Sequence, residues 1–107
     1  MSYNFEKMHF LKMKVGAKSP SIESLRLLHT LCQTENLAAA AERLGLSLPT
    51  ASRMLSQLRE IFEDRLFTRF PGGLVPTRKA KLLMPRTEAV LKTYDALLAP
   101  QTFDPAR

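Results

Sequence analysis

The sequence has little of what membrane proteins, disulfide-rich proteins and metal sites require. It contains one cysteine and two histidines among 107 residues, so it can form neither a disulfide framework within the chain nor a cysteine-based metal cluster. No apolar run approaches the ~20 residues that a membrane-spanning helix needs. The first 20 residues also lack the continuous apolar core of a secretory signal. We therefore expect no metal, no cofactor, no membrane association and a reducing, cytoplasmic compartment.

Residue groups that enzymes use are also missing. No paired carboxylates indicate a catalytic cleft, the two histidines are isolated, and no glycine-rich loop is placed to hold a phosphate. Cys32 lies in an apolar helical stretch, where we expect a buried and unreactive thiol. The sequence therefore predicts a protein that is not an enzyme.

Positive charge is what the chain has in surplus. The formal net charge is +6. Residues 47–81 hold seven basic against three acidic side chains, and residues 1–20 hold four lysines against one glutamate. A basic surplus concentrated in this way indicates a polyanionic partner such as nucleic acid.

The segment 37–62 reads as two short helices joined by a tight turn. Asn36 can cap the first helix, and Gly45 can end it because glycine adopts the left-handed conformation at low cost. Ser47 can cap the second helix, with Pro49 in its first turn. This arrangement predicts a helix-turn-helix, a motif that lays its second helix in the major groove of DNA.

The predicted second helix has one apolar and one polar side. Ala51, Leu55 and Leu58 repeat at helical spacing and should be buried. The side chains off this stripe are polar or basic and suit base edges and phosphates: Thr50, Ser52, Arg53, Ser56 and Gln57. The alternative is a polar face that meets only solvent, as every amphipathic helix has.

Further elements flank this motif on both sides. Ser21 can cap an earlier helix, whose spacing predicts inward-facing side chains at Leu25, Leu28, Leu31 and Cys32. After the motif, residues 65–77 contain a strong turn signal, Pro71-Gly72-Gly73, between two short extended runs. We interpret these runs as a two-stranded wing.

The last predicted helix runs from Arg78 to Leu98 and carries two apolar stripes. One stripe is heptad-like and consists of Leu83, Thr87, Val90, Tyr94 and Leu97. The other consists of Ala80, Met84, Leu91 and Leu98. One stripe can pack on the rest of the chain and the other on a partner, so we expect a dimerisation helix; packing within one chain is the alternative. Because Pro85 falls inside, we expect a kink or a break near Lys81–Met84.

The predicted fold is mainly α: a winged helix-turn-helix with three helices and a two-stranded wing, followed by a long linker helix. The predicted segments are a flexible basic arm (1–20), in which a short helix over 5–13 is an option, the DNA-binding domain (21–77), the linker and dimerisation helix (78–99) and a hinge (100–107).

With its elements in this order and spacing, the chain resembles the DNA-binding part of LysR-type transcriptional regulators of bacteria, from about residue 22 to 107. The resemblance rests on the leucines of the first helix and on AAERLGLS (40–47), Pro49, ASR (51–53), Leu55, Leu58, LFTR (66–69) and LVPT (74–77). It implies dimers or tetramers paired through the linker helix, and a C-terminal domain that binds a small-molecule effector. Residues 103–106 resemble the junction to that domain, so the chain looks like an excised fragment or a truncated gene product.

Several positions depart from the family pattern. Leu48 stands where glutamine is usual, and leucine offers contact with a thymine methyl rather than a bidentate contact with adenine. Ala38 and Ala39 stand where a polar or basic pair is usual, which leaves that helix without the usual phosphate ligands. Arg59 replaces an acid and strengthens the positive field. The wing tip has no basic residue to enter the minor groove.

We therefore predict sequence-specific binding of a homodimer to double-stranded DNA at an inverted-repeat operator. In a full-length parent, a tetramer is a further option. The residues predicted to contact DNA are Ser47, Leu48, Pro49, Thr50, Ser52, Arg53, Ser56, Arg69 and Arg78. Those predicted for the dimer interface are Leu83, Val90, Leu91, Tyr94, Leu97 and Leu98. The alternative is a winged-helix protein-interaction module with weak or no DNA binding, which the missing glutamine and the uncharged wing tip favour.

Overall fold

A computed structural model describes residues 19–100 of the chain. The helices and strands in this range are α1 (Ile22–Thr34), α2 (Leu37–Leu44), α3 (Leu48–Phe62), β1 (Phe67–Phe70), β2 (Gly73–Pro76) and α4 (Arg78–Leu98). The predicted mainly α winged helix-turn-helix with a long last helix is confirmed. The helix considered over 5–13, most of the N-terminal arm and residues 101–107 of the hinge lie outside the described residues.

Each described helix begins at a side-chain cap, and Thr77, like the three predicted caps, is a residue type that commonly caps helices. In every case the capping oxygen accepts a hydrogen bond of 2.8–3.2 Å from the backbone amide three residues further on. The four caps are Ser21, Asn36, Ser47 and Thr77. Since replacing such a cap with alanine costs about 1 kcal/mol, these residues fix where each helix starts.

The helix ends are less regular than the helix starts. Gly45 ends α2 at a φ of 71°, as predicted. Glu35 and Glu63 end α1 and α3 in the same left-handed conformation, at φ values of 57° and 52°. This conformation costs a residue with a side chain about 1–2 kcal/mol, so sequence reasoning expects glycine there and does not find these two ends.

The core lies where the first three helices meet the base of the wing. Its largest fully buried side chains are Leu27, Leu28, Leu31, Leu58, Leu66 and Phe67. Helical spacing predicts Leu28 and Leu31 correctly but misses Leu27, while Leu25 and Cys32 pack at the edge and are only partly buried. Burying a leucine or phenylalanine side chain contributes about 1.5–3 kcal/mol, so this cluster supplies most of the apolar stabilisation.

Small side chains let α2 and α3 approach each other. Ala40 and Ala41 are 0% and 3% exposed and lie inside the core. The amide of Leu46 donates to the Ala41 carbonyl at 2.8 Å, which closes the turn after Gly45. A larger side chain at position 40 or 41 would separate the two helices, because a close-packed interior has no room for extra volume.

The wing is a hairpin that is attached to the turn between α1 and α2. Its strands pair antiparallel, with Phe67 opposite Pro76 and Phe70 opposite Gly73. Gly73 belongs to β2 rather than to the predicted turn, and its φ is 139°. The amide of Leu74 donates to the Glu35 carbonyl at 2.9 Å. A Cβ atom at Gly73 would overlap that same carbonyl oxygen, so glycine is needed for this attachment.

The last helix is continuous. It extends over 21 residues from Arg78 to Leu98 with Pro85 inside it, so of the kink or break expected near Lys81–Met84, the break is wrong. Proline removes one hydrogen bond, to the residue four positions earlier. That residue, Lys81, and Pro85 itself are exposed, so water can satisfy the freed carbonyl.

Helix α4 packs along α1 through a buried strip that flanks the proline on both sides. Ala80, Thr87 and Leu91 are 0%, 5% and 8% exposed. At the edge of this strip, Arg26 forms an ion pair with Asp95 at 2.6 Å, and His29 Nε2 lies 3.0 Å from a carboxylate oxygen of Glu88. No helix among residues 19–100 is both long and apolar enough to cross a membrane.

Candidate nucleic-acid interface

The amino-terminal half of α3, the recognition helix, carries a row of linked polar side chains. The Ser47 hydroxyl donates to Thr50 Oγ1 at 2.9 Å, and Arg53 Nη2 donates to the same oxygen at 3.4 Å. A hydroxyl accepts twice and donates once, so these bonds leave the Thr50 proton for an acceptor outside the row. Ser47 and Arg53 are exposed, and the row holds the Arg53 guanidinium in place at the surface.

Other side chains of the same helix face the wing across an open groove of about 660 Å³. We call this groove the shared groove. Its lining from α3 includes Leu48, Ser52 and Arg59, and its lining from the wing includes Arg69, Phe70 and Pro71. Leu48 is 49% exposed at the start of the helix. The recognition helix and the wing therefore border one continuous surface.

Arg59 joins the end of the recognition helix to the start of the wing. Its Nε donates to the Arg65 carbonyl at 2.8 Å, and its Nη2 donates to the Phe67 carbonyl at 3.2 Å. Partial burial lowers the pKa of Arg59, and the nearby charges of Arg65 and Arg69 lower it further. The sequence suggested only a stronger positive field at this position; the structure adds that the guanidinium positions the wing.

Asp64 fixes the base of the wing from the other side. One of its carboxylate oxygens accepts from the Leu66 amide at 2.8 Å and from the Thr77 hydroxyl at 2.7 Å. The hydrogen bond from Thr77, followed by that from Leu66, holds the pKa of Asp64 below its ordinary value. Because Thr77 also caps α4, Asp64 links the loop after the recognition helix to the start of the linker helix.

The predicted DNA-contacting residues separate into three groups by position. Seven lie in the first turns of α3 or at its cap: Ser47, Leu48, Pro49, Thr50, Ser52, Arg53 and Ser56. Arg69 lies across the shared groove on β1 and is exposed. Arg78 is exposed at the first position of α4, outside the lining of the shared groove. The structure thus brings the recognition helix and Arg69 together and leaves Arg78 apart.

Sequence reasoning missed Phe70 in this surface. The side chain is 51% exposed and lies at the end of β1 opposite Gly73, a residue without a side chain to cover it. The available signal was an aromatic residue directly before a proline-glycine turn in a stretch without charge. An apolar residue at that position is normally interpreted as part of the core side of a strand, so the sequence pattern does not predict that Phe70 is exposed.

The predicted dimer residues do not form one surface. Leu91 is 8% exposed, so little of its side chain is available to a second chain. Leu83 packs against the core in part, and Tyr94 is half-buried with its ring 5.8 Å from the Arg26 guanidinium carbon. Val90, Leu97 and Leu98 are 45%, 73% and 63% exposed.

Cys32 is not an activated thiol. Its side chain is half-buried, and burial together with the nearby Glu35 raises the pKa of the thiol to about 11. A thiol with so high a pKa stays protonated at neutral pH, and the protonated form is a poor nucleophile and metal ligand. The sequence-based expectation of an unreactive cysteine is in keeping with this environment.

The family follows from comparison with known proteins. A family model described as a bacterial regulatory helix-turn-helix protein of the lysR family matches residues 22–81. The chain belongs to the LysR family. The matched residues begin with α1, include the whole helix-turn-helix and wing, and end in the first turn of α4. The chain therefore contains a LysR-type helix-turn-helix DNA-binding domain.

Individual LysR-family proteins align with most of this chain. The HTH-type transcriptional regulator PhcA of Ralstonia nicotianae is 40% identical over 77 residues, which make up 70% of this chain and 22% of PhcA. Nodulation protein D 1 of Bradyrhizobium sp. (strain NC92) is 38% identical over 90 residues, or 83% of this chain and 29% of that protein. The chain thus spans less than a third of the length of either relative.

A solved structure shows the same fold. The DNA-binding domain of CbnR in complex with DNA superposes with a TM-score of 0.66 at 22% identity. The match covers 71% of this chain and 87% of the CbnR domain. The agreement extends to nearly the whole of that domain, which supports the LysR-type winged helix-turn-helix architecture described above.

Proposed function

We propose that this chain binds double-stranded DNA sequence-specifically, as the DNA-binding part of a dimeric LysR-type transcription regulator. The observation that carries the proposal is the linked row of Ser47, Thr50 and Arg53 at the exposed start of the recognition helix. Three polar groups in fixed relative positions are what base-edge recognition in the major groove requires. Membership of the LysR family supports the same function.

The proposed roles follow from the chemistry of each side chain. Arg53 and Thr50 donate hydrogen bonds to base edges, because both retain donors after forming the row. Ser52 and Ser56 contact bases or flanking phosphates. Leu48 and Pro49 supply apolar contact, for which the methyl group of thymine is the complement in the major groove. Ser47 acts mainly by capping α3 and orienting Thr50.

Arginines outside the recognition helix contact the DNA backbone in this proposal. If α3 occupies the major groove, the sugar-phosphate strand bordering that groove must pass between α3 and the wing. The shared groove lies there, and Arg69 on its wing side is placed to neutralise a phosphate. Arg78 adds a second contact at the start of α4. Each such contact adds to the dependence of affinity on salt concentration.

Dimerisation would use the exposed apolar side of α4. Val90 and Leu97, with Ile22, Ala89 and Thr93, line a shallow surface of low polarity. Two chains joined there are related by two-fold symmetry and would read an inverted repeat, with half-sites about one helical turn, ~34 Å, or a multiple apart. Tetramers, an effector-binding domain and location at the cytoplasmic nucleoid belong to the proposed full-length regulator.

A protein-interaction module without DNA binding is the second candidate. Its support is the exposure of two large apolar side chains, Leu48 and Phe70, on one groove, since such residues are also usual at protein interfaces. The two candidates differ in whether the chain binds DNA.

Retention on duplex DNA separates the two candidates. The full chain is applied to immobilised random duplex and to heparin, and duplexes that stay bound as salt rises are amplified and sequenced. We expect retention and enrichment of an inverted repeat. Elution from both matrices at low salt, with no enriched sequence, would favour the interaction module. Light scattering of the same sample measures the mass, and a monomer at all concentrations would contradict the dimer.

A further inference from the structure

Phe70 is an aromatic residue that the described part of the chain covers only by half. It is 51% exposed at the end of β1, and its cross-strand neighbour is Gly73. Pro71 and Gly72, which form the turn, are exposed as well. Aromatic side chains bury about 150–250 Å² when fully covered, so the apolar area available at the wing tip is large for so small a hairpin.

The wing tip carries no charged side chain. Residues 70–77 contain no ionisable side chain, although residues 47–81 as a whole hold seven basic groups against three acidic ones. The groove beside the tip is lined by Arg59 and Arg69 but also by Glu35. An uncharged tip in this setting gains little from a purely electrostatic partner. It suits a partner that offers an anionic strand and, directly beside it, an apolar surface. Double-stranded DNA offers both, because deoxyribose and base faces lie next to the phosphates.

The position of Phe70 connects it with the proposed DNA surface. Phe70 and Arg69 line the same groove as Leu48 and Ser52 of the recognition helix. With the recognition helix in the major groove and Arg69 on the intervening phosphates, the next surface that the wing meets is the minor groove. Phenylalanine and proline are among the side chains that proteins insert between base steps from the minor groove, which kinks the duplex.

We propose that Phe70, assisted by Pro71, is an apolar wedge that enters the minor groove beside each half-site and selects for a deformable base step there. The proposal rests on the proposed function, since it requires a chain that binds DNA. Pyrimidine–purine steps such as TA and CA unstack most easily, so the wedge gives sequence preference at positions that form no hydrogen bond with the protein. The wing would thus respond to the deformability of the DNA, whereas a basic wing tip would respond to its negative charge.

The test compares Phe70→Ala with Phe70→Leu on paired duplexes. One duplex carries the selected half-sites with a TA step at the flanking position, and the other carries a stiff AA step there. Binding is measured by fluorescence anisotropy over a range of salt concentrations. Bending is measured by energy transfer between dyes at the duplex ends. Because Phe70 is half exposed, neither substitution should unfold the chain, and urea unfolding checks this.

We expect wild type to prefer the TA duplex and to bend it. Phe70→Ala should lose about tenfold in affinity for the TA duplex, lose the preference and reduce the bend, with the salt slope unchanged. Phe70→Leu should retain most of all three, since leucine also serves as a wedge. Equal binding of both duplexes by wild type, or unchanged preference in Phe70→Ala, would overturn the wedge while leaving the proposed function intact. Absence of specific binding by wild type would instead contradict the proposed function.

Discussion

The recognition helix and the wing face each other across the shared groove but are built in opposite ways. The helix presents polar side chains that hold one another, from Ser47 through Thr50 to Arg53. The wing is held through its backbone groups, which bond to the Glu35 carbonyl and to the side chains of Arg59 and Asp64. It presents a tip without charge. In the proposed function, hydrogen-bonded base reading is therefore concentrated in the helix, while the wing would contribute position, one phosphate contact and apolar surface.

Substitution of Gly73 should disrupt the attachment of the wing and give the largest loss of stability. Gly73→Ala places a Cβ atom against the Glu35 carbonyl oxygen and forces alanine to a φ of 139°. A residue in such a conformation costs about 1–3 kcal/mol, to which the overlap adds. Urea unfolding should therefore show a loss of about 2–3 kcal/mol.

Gly72→Ala is the matched control for that substitution. A Cβ atom at Gly72 meets nothing within 4 Å, so stability should change by less than about 0.5 kcal/mol. Equal losses for the two variants would show that hairpin flexibility, rather than the contact with Glu35, determines the effect at Gly73.

Substitution of Ser47 tests whether this residue caps the recognition helix or contacts DNA directly. Ser47→Ala removes the cap that accepts from the Thr50 amide at 3.2 Å and should cost about 1 kcal/mol of stability. Ser47→Gly should cost only a few tenths, roughly, because glycine is tolerated at this position. Chemical denaturation measures both. If the alanine variant is as stable as wild type but binds DNA poorly, Ser47 reads DNA directly instead of positioning Thr50.

Asp64, which links the wing base to α4, should affect the free energy of unfolding at acid pH. We expect this effect to be the smallest of those considered. The folded-state pKa of Asp64 is depressed by the Thr77 and Leu66 hydrogen bonds. Its stabilising contribution is therefore complete above the unfolded pKa of about 4 and is lost as pH falls through the lower folded-state value. Unfolding free energies measured from pH 6 to pH 2.5 should fall more steeply below pH 4 in wild type than in Asp64→Asn. Parallel curves would contradict this role.

Local chemistry explains why much of the fold could be predicted. The four caps, the end of α2 at Gly45 and the wing hairpin each depend on residues adjacent in sequence, so their patterns are readable without tertiary information. The ends at Glu35 and Glu63 could not be predicted, because tertiary packing imposes a conformation that glutamate disfavours. The continuity of α4 through Pro85 also depends on contacts with α1 that are distant in sequence.

The candidate site was predicted in part for the same reason. Polar spacing within α3 selects the side chains that the proposed function uses, whereas the partners of Arg59 and Asp64 lie on other elements and carry no local signal. The burial of Leu91 could not be separated from the exposure of Val90, because both stripes of α4 are apolar. The buried strip takes Ala80 and Leu91 from one predicted stripe and Thr87 from the other, so the placement of α1 rather than the stripe pattern decides which side chains are covered.

The relation between helix and wing is tested most directly by the ratio of affinities for a selected inverted-repeat duplex and a shuffled duplex at fixed salt. Arg53→Ala and Arg69→Ala each remove one arginine, and Arg43→Ala, which lies outside the shared groove, is the control for loss of charge. We predict that Arg53→Ala weakens binding to the selected duplex by about 1–3 kcal/mol and lowers the ratio. Arg69→Ala should weaken both duplexes equally and reduce the salt slope by about one. A ratio that falls with Arg69→Ala and stays constant with Arg53→Ala would contradict the assignment of base reading to the recognition helix.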